Sequence, residues 1–137
     1  MKKALFLVIV LLPSLLLTAQ TKQKKEKEKQ AATLPPPRVW IPNIPSYTTT
    51  REMVLANPML ITDSVGCKVS GFTISLIAPG HDFYGPLYTN GNEMSIPQKD
   101  LIKSWDFPDV TMYVQDIHLN CHEQDARADA LTYKFTK

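Results

Sequence analysis

Cysteine is scarce in this chain: Cys67 and Cys121 are the only two in 137 residues. Two are too few to fill a zinc site alone, which needs three or four convergent ligands. Long apolar runs are also missing. The longest, Ala4 to Leu17, holds about 14 residues, short for a helix that must cross a ~30 Å hydrocarbon core. Neither sign of charge dominates, with 15 Lys and Arg against 13 Asp and Glu. The basic excess sits in residues 22–29, where five lysines face Glu26 and Glu28. Outside the head and that stretch the balance is acidic, which argues against a nucleic-acid-binding body. Ser64, Ser70, Ser75 and Ser95 stand in no G-x-S-x-G elbow, and no glycine-rich phosphate loop, repeat or heptad is present.

What is there begins with an export signal. Met1-Lys2-Lys3, the apolar run and Thr18-Ala19-Gln20 are the head, core and small-residue end of a secretory signal peptide, residues 1–19. No cysteine follows for lipid attachment. A mature chain in the periplasm or outside the cell is expected, where an even cysteine pair favours a disulfide. Residues 20–54 read as a linker, first lysine-rich and then proline-rich. The lysine tether is a solvated spacer and the one route to anionic membrane headgroups. Pro35-Pro36-Pro37, Pro42 and Pro45 then impose an extended, polyproline-like path. Trp40 and Ile41 are larger than a pure linker needs, so they either fold back or form a docking peptide.

From residue 55 to 137 the pattern is that of short strands. Met59-Leu60-Ile61 is an apolar run. Cys67 to Ser70 alternates, and the phase resets at Gly71 so that Phe72, Ile74 and Leu76 share a face, the mark of a bulge. Pro79-Gly80 ends that strand, and Asn90-Gly91 suits a type I′ hairpin turn. Ser95-Ile96-Pro97-Gln98 starts a helix through Leu101, Ile102 and Trp105. Val110 to Leu119 is a strand, as are Leu131, Tyr133 and Phe135 in alternation. The expected fold is mainly β, an antiparallel Ig-like sandwich with one short helix.

Candidate chemistry is thin. His118 and His122 on one strand face stand about 13 Å apart, too far to share a metal unless the chain turns after Cys121. His81 and Asp82 point to opposite faces of an extended backbone. Glu123, Asp125 and Asp129 fit no standard calcium loop. The expectation is no enzyme, no cofactor and no metal, with Cys67–Cys121 as a structural staple. Closing a loop of about 55 residues contributes roughly 4 kcal/mol in the chain-entropy treatment.

Three stretches carry a family resemblance: Val65-Gly66-Cys67-Lys68-Val69-Ser70-Gly71-Phe72-Thr73-Ile74, the helix Leu101-Ile102-Lys103 followed by Pro108-Asp109-Val110-Thr111-Met112-Tyr113-Val114-Gln115-Asp116-Ile117, and the end Ala130-Leu131-Thr132-Tyr133-Lys134-Phe135. Over residues 59–137 this resembles the C-terminal domain of the gliding-motility protein GldM, part of type IX secretion in Bacteroidetes-type bacteria. Pro108-Asp109 stands where that family usually has Pro-Gly-Asp. The resemblance implies a non-catalytic, envelope-located interaction domain whose partners are envelope proteins, such as type IX secretion components. Recognition would use an exposed strand edge or an aromatic anchor. Trp40, Phe83, Tyr84 and Tyr88 are the contact residues expected, as large aromatics in loops or linkers. A secreted inhibitor or small-ligand-binding sandwich, working through the Gly80–Asn92 loop, is the alternative.

Overall fold

The computed structural model describes residues 36–44 and 47–136. The signal peptide, the lysine-rich tether, Pro35 and Pro45 lie outside the described residues. All that follows concerns the unit Pro36–Lys137.

Its centre is a pair of eleven-residue antiparallel strands, β4 (Cys67–Ile77) and β6 (Thr111–Cys121). For these the spans are long enough to carry two bulges. The register runs Val69 to Leu119, Gly71 to His118 and Thr73 to Gln115, so each strand gains one residue over the other in turn. The two insertions cancel, and Cys67↔Cys121 and Ile77↔Thr111 belong to one register. Asp116 takes the left-handed φ of 48° that its bulge demands, a region aspartate tolerates better than most residues. The extra residue leaves both Gln115 and Asp116 exposed, so that Val114 and Ile117 both face the core.

Around this pair lies one six-stranded sheet. β5 (Tyr84–Asn90) flanks β4 antiparallel. On the far side of β6, β7 (Gln124–Arg127) pairs with its end and β8 (Leu131–Phe135) with its beginning, both antiparallel. β2 (Thr48–Thr49) closes the order by pairing parallel to β8. A separate ribbon joins β1 (Val39–Trp40) to β3 (Ile61–Thr62). The strands thus divide six to two rather than into comparable sheets.

Two helices accompany them where one was expected. The additional one, α1 (Arg51–Ala56), is a turn and a half that buries only Val54, so it leaves no apolar period to read. Thr50 caps it, its Oγ1 accepting from the Met53 amide at 3.3 Å. Helix α2 (Ile96–Ser104) starts at Ser95, whose amide donates to Gln98 Oε1 at 3.0 Å. The helix buries Gln98, Leu101 and Ile102.

One hydrophobic cluster unites these parts. Phe72, Ile74 and Leu76 from β4, Met112, Val114, Ile117 and Leu119 from β6, and Tyr133 and Phe135 from β8 meet Leu101 and Ile102 of α2. The proline-rich stretch joins them: Val39, Ile41, Ile44 and Val54 are buried in the same cluster. The Ile41 amide donates to Tyr133 Oη at 3.3 Å. Residues 39–44 and 47–54, placed in the linker by composition, therefore belong to the folded unit. Proline bars the helix but leaves an extended backbone that can pair at its non-proline positions.

Asn90-Gly91 makes no hairpin turn. Gly91 has φ 84° while Asn90 ends β5, and the chain runs on to bridge Glu93 with Met59. The loop expected over Gly80–Asn92 is largely strand; the connection between β4 and β5 is confined to residues 78–83.

Candidate functional site

The feature that stands out is a file of aromatic rings where the β4–β5 connection meets the end of α2. The His81 imidazole stacks on Phe107 with centroids 3.8 Å apart. Phe107 meets Trp105 edge-on at 5.5 Å, and Trp105 meets Tyr84 at 6.1 Å. Trp105 and Phe107 are half-buried against the core, whereas Phe83 and Tyr84 are 51% and 52% exposed. Each of the two buried rings thus has one side fixed and one side available.

Arg51 holds the middle of the file in place. Its Nη1 donates to Asp106 Oδ1 at 2.7 Å and its Nη2 to the Phe107 carbonyl at 2.9 Å. The guanidinium also lies 5.9 Å from the Phe135 ring centroid. One side chain on α1 therefore ties residues 106–107 to the sheet, and sequence reading had passed over it.

Beside the file runs a groove of about 420 Å³ between β5 and α2, lined by Tyr84, Leu87, Pro97, Leu101 and Trp105 among others. Its walls are set by Gln98, wholly buried, whose Nε2 donates to the Leu87 carbonyl at 2.7 Å. That bond also closes part of the β5 edge, because Pro86 has no amide to offer and Leu87 O is already taken. Gly85 is required where β5 crosses close to β4: with φ 111°, a Cβ there would stand 2.8 Å from the Ile74 carbonyl oxygen.

The four aromatics singled out by sequence do not converge. Tyr84 pairs with Leu76 and Tyr88 with Thr73, residues of opposite parity in β4, so the two tyrosines lie on opposite faces of the sheet. Trp40 is half-buried in the β1–β3 ribbon opposite Ile61. Ile61 lines a cleft with Cys67 and Val69, at the other end of β4 from Tyr84. Tyr84 remains at the aromatic file, and Phe83 is exposed beside it in the chain. Trp105, Phe107 and His81 join Tyr84, and their clustering was hidden because they come from two separate turns.

Cys67 and Cys121 are joined in a disulfide directly across β4 and β6, with Cα atoms 4.0 Å apart. His118 lies inside β6, whereas His122 leaves it in a turn and covers Gly66, where a Cβ would collide with its ring. Among the described residues no group of three or more His, Cys, Asp or Glu side chains is placed to hold a metal ion. Among them, too, no helix is long and apolar enough to cross a membrane. No protein-family model matches the chain, and no curated protein is similar to it at a significant level.

Proposed function

We propose that the chain is an exported, non-catalytic interaction module of the bacterial envelope, and that it captures a protein partner through the aromatic file. The observation that carries this reading is the file His81, Phe107, Trp105 and Tyr84, linked ring to ring, in which Trp105 and Phe107 are half-buried and Trp105 and Tyr84 line a groove. Rings already fixed by the core lose little freedom on binding, and aromatic anchors dominate the energetics of protein interfaces. Recognition then rests on side chains rather than on strand addition at β5, where Pro86 and the Gln98 bond obstruct pairing.

Export is supported by the basic head and apolar run at residues 1–19 and by the Cys67–Cys121 bond, which suits an oxidising compartment. The six-stranded sheet with its β1–β3 ribbon is read as an unequal Ig-like sandwich. The resemblance of residues 59–137 to the GldM terminal domain makes type IX secretion or gliding components the partners to look for. Affinity capture of the chain from residue 20 onward, out of native envelopes and followed by mass spectrometry, tests the proposal. Enrichment of an envelope protein is the expected result; recovery of none overturns it.

A further inference from the structure

The sheet has a second face, opposite the core, and its lower half has an unusual composition. Alternation along β4 puts Thr73, Ser75 and Ile77 there, and the register adds Tyr88 from β5, Thr111, Tyr113 and Gln115 from β6, and Thr132 and Lys134 from β8. Lys134, the one charged side chain among these, is engaged by Asp109 at 3.1 Å. Beyond the two bulges the same face changes character, with Lys68, His118, Arg127 and Asp125 around Asn120. Thr73 and Ser75 are buried there, so the lower zone presents the polar side chains of Thr111, Gln115 and Thr132 around two tyrosine rings.

Tyr88 has a particular posture. A Cβ on Gly71 would collide with the Tyr88 hydroxyl, so the side chain lies along the sheet with its tip over the glycine instead of standing away from it. It is 52% exposed in that position. Tyr113 lies diagonally across β4 from it, since Thr73 pairs with Tyr88 and Ser75 with Tyr113. Two strand spacings and two residues along the chain put the tyrosine backbones roughly 12 Å apart.

The geometry points to a binding face for a neutral, flat glycan chain of the β-1,4-linked kind. A ring laid along a sheet presents its apolar side to the C–H face of a sugar, and a second ring diagonally beyond it continues the platform. Thr132 and Gln115, both exposed, supply a hydroxyl and an amide beside the rings, matched to a polyhydroxyl ligand. Charge decides among occupants: a nucleic acid or anionic polymer needs a basic field, and the one lysine here is already paired. This face is separate from the aromatic file, so the inference stands or falls independently of the protein-partner reading.

Titration calorimetry of the mature chain with cellohexaose and with chitohexaose tests it. The wild-type chain is expected to bind at least one of the two, Tyr88→Phe to keep that affinity, and Tyr88→Ala to lose about tenfold, the scale of one ring contact. Phe83→Ala with Tyr84→Ala, on the other side, should bind the sugar unchanged. Amide chemical shifts should move at Thr73, Gln115 and Thr132. No binding of either hexasaccharide overturns the inference, as does a response confined to the α2 side of the sheet or an affinity that a folded Tyr88→Ala leaves intact.

Discussion

Gln98 fastens helix α2 to strand β5: its Nε2 reaches the Leu87 carbonyl at 2.7 Å while its Oε1 takes the Ser95 amide at 3.0 Å. One buried amide thus serves as helix cap and as inter-element bond, and it sets the width of the groove beside Trp105. Gln98→Leu should lower stability by about 2–3 kcal/mol, because two buried backbone groups lose their partners. Urea unfolding midpoints at unchanged slope measure this. A loss under 0.5 kcal/mol would mean that solvent satisfies both groups.

Arg51 is expected to matter for binding more than its place on a short helix suggests. Arg51→Ala removes the bonds to Asp106 and to the Phe107 carbonyl. The Trp105 and Phe107 signals in near-ultraviolet circular dichroism should weaken while far-ultraviolet spectra persist.

The disulfide closes the ends of the two central strands. Replacing both cysteines by alanine should cost about 4 kcal/mol on loop-closure grounds. Since a domain of this size has only about 5–15 kcal/mol in hand, the double variant should be marginal at physiological temperature. A thermal melt of oxidised and Cys-free chains side by side reads the difference.

Burial raises the Tyr133 hydroxyl above its ordinary 10.0, and the bond from the Ile41 amide only partly offsets this. Below pH 10 the phenol is neutral in both folded and unfolded chains and adds no pH dependence. Above it the unfolded chain ionises first, so stability falls as pH rises through 10 toward the folded value. Tyr133→Phe should flatten that alkaline decline, as measured by urea unfolding between pH 8 and pH 11. An unchanged slope would place the decline elsewhere.

Ser75 is fully buried, and among the described residues its hydroxyl has no hydrogen-bond partner. Ser75→Ala should therefore raise stability by about 0.5–1 kcal/mol, seen as a higher unfolding midpoint. A loss instead would reveal a buried water bound there.

Much of the strand arrangement was legible because its signals are local. The phase slip at Gly71, the capping residues Ser95 and Gln98, and the alternation of Leu131, Tyr133 and Phe135 each needed only their neighbours. A second slip was also there to read: Met112 and Val114 are out of phase with Ile117 and Leu119, as the bulge at Asp116 requires. Proline content concealed the rest. Val39, Ile41 and Ile44 pack into the core from a stretch whose composition reads as linker, because burial depends on where the chain is led. The aromatic file was illegible for a related reason. Tyr84 and Tyr88 are neighbours in sequence on opposite faces, while His81, Trp105 and Phe107 meet only after β4, β5 and α2 are packed.

The most direct test of the account is paired capture from native envelopes with the wild-type chain and with Phe83→Ala/Tyr84→Ala, after matched melts establish that both fold. The account predicts an envelope protein retained by the wild type and lost, or weakened at least tenfold, in the double variant. The same partner held equally by both chains would contradict the assignment of binding to the aromatic file.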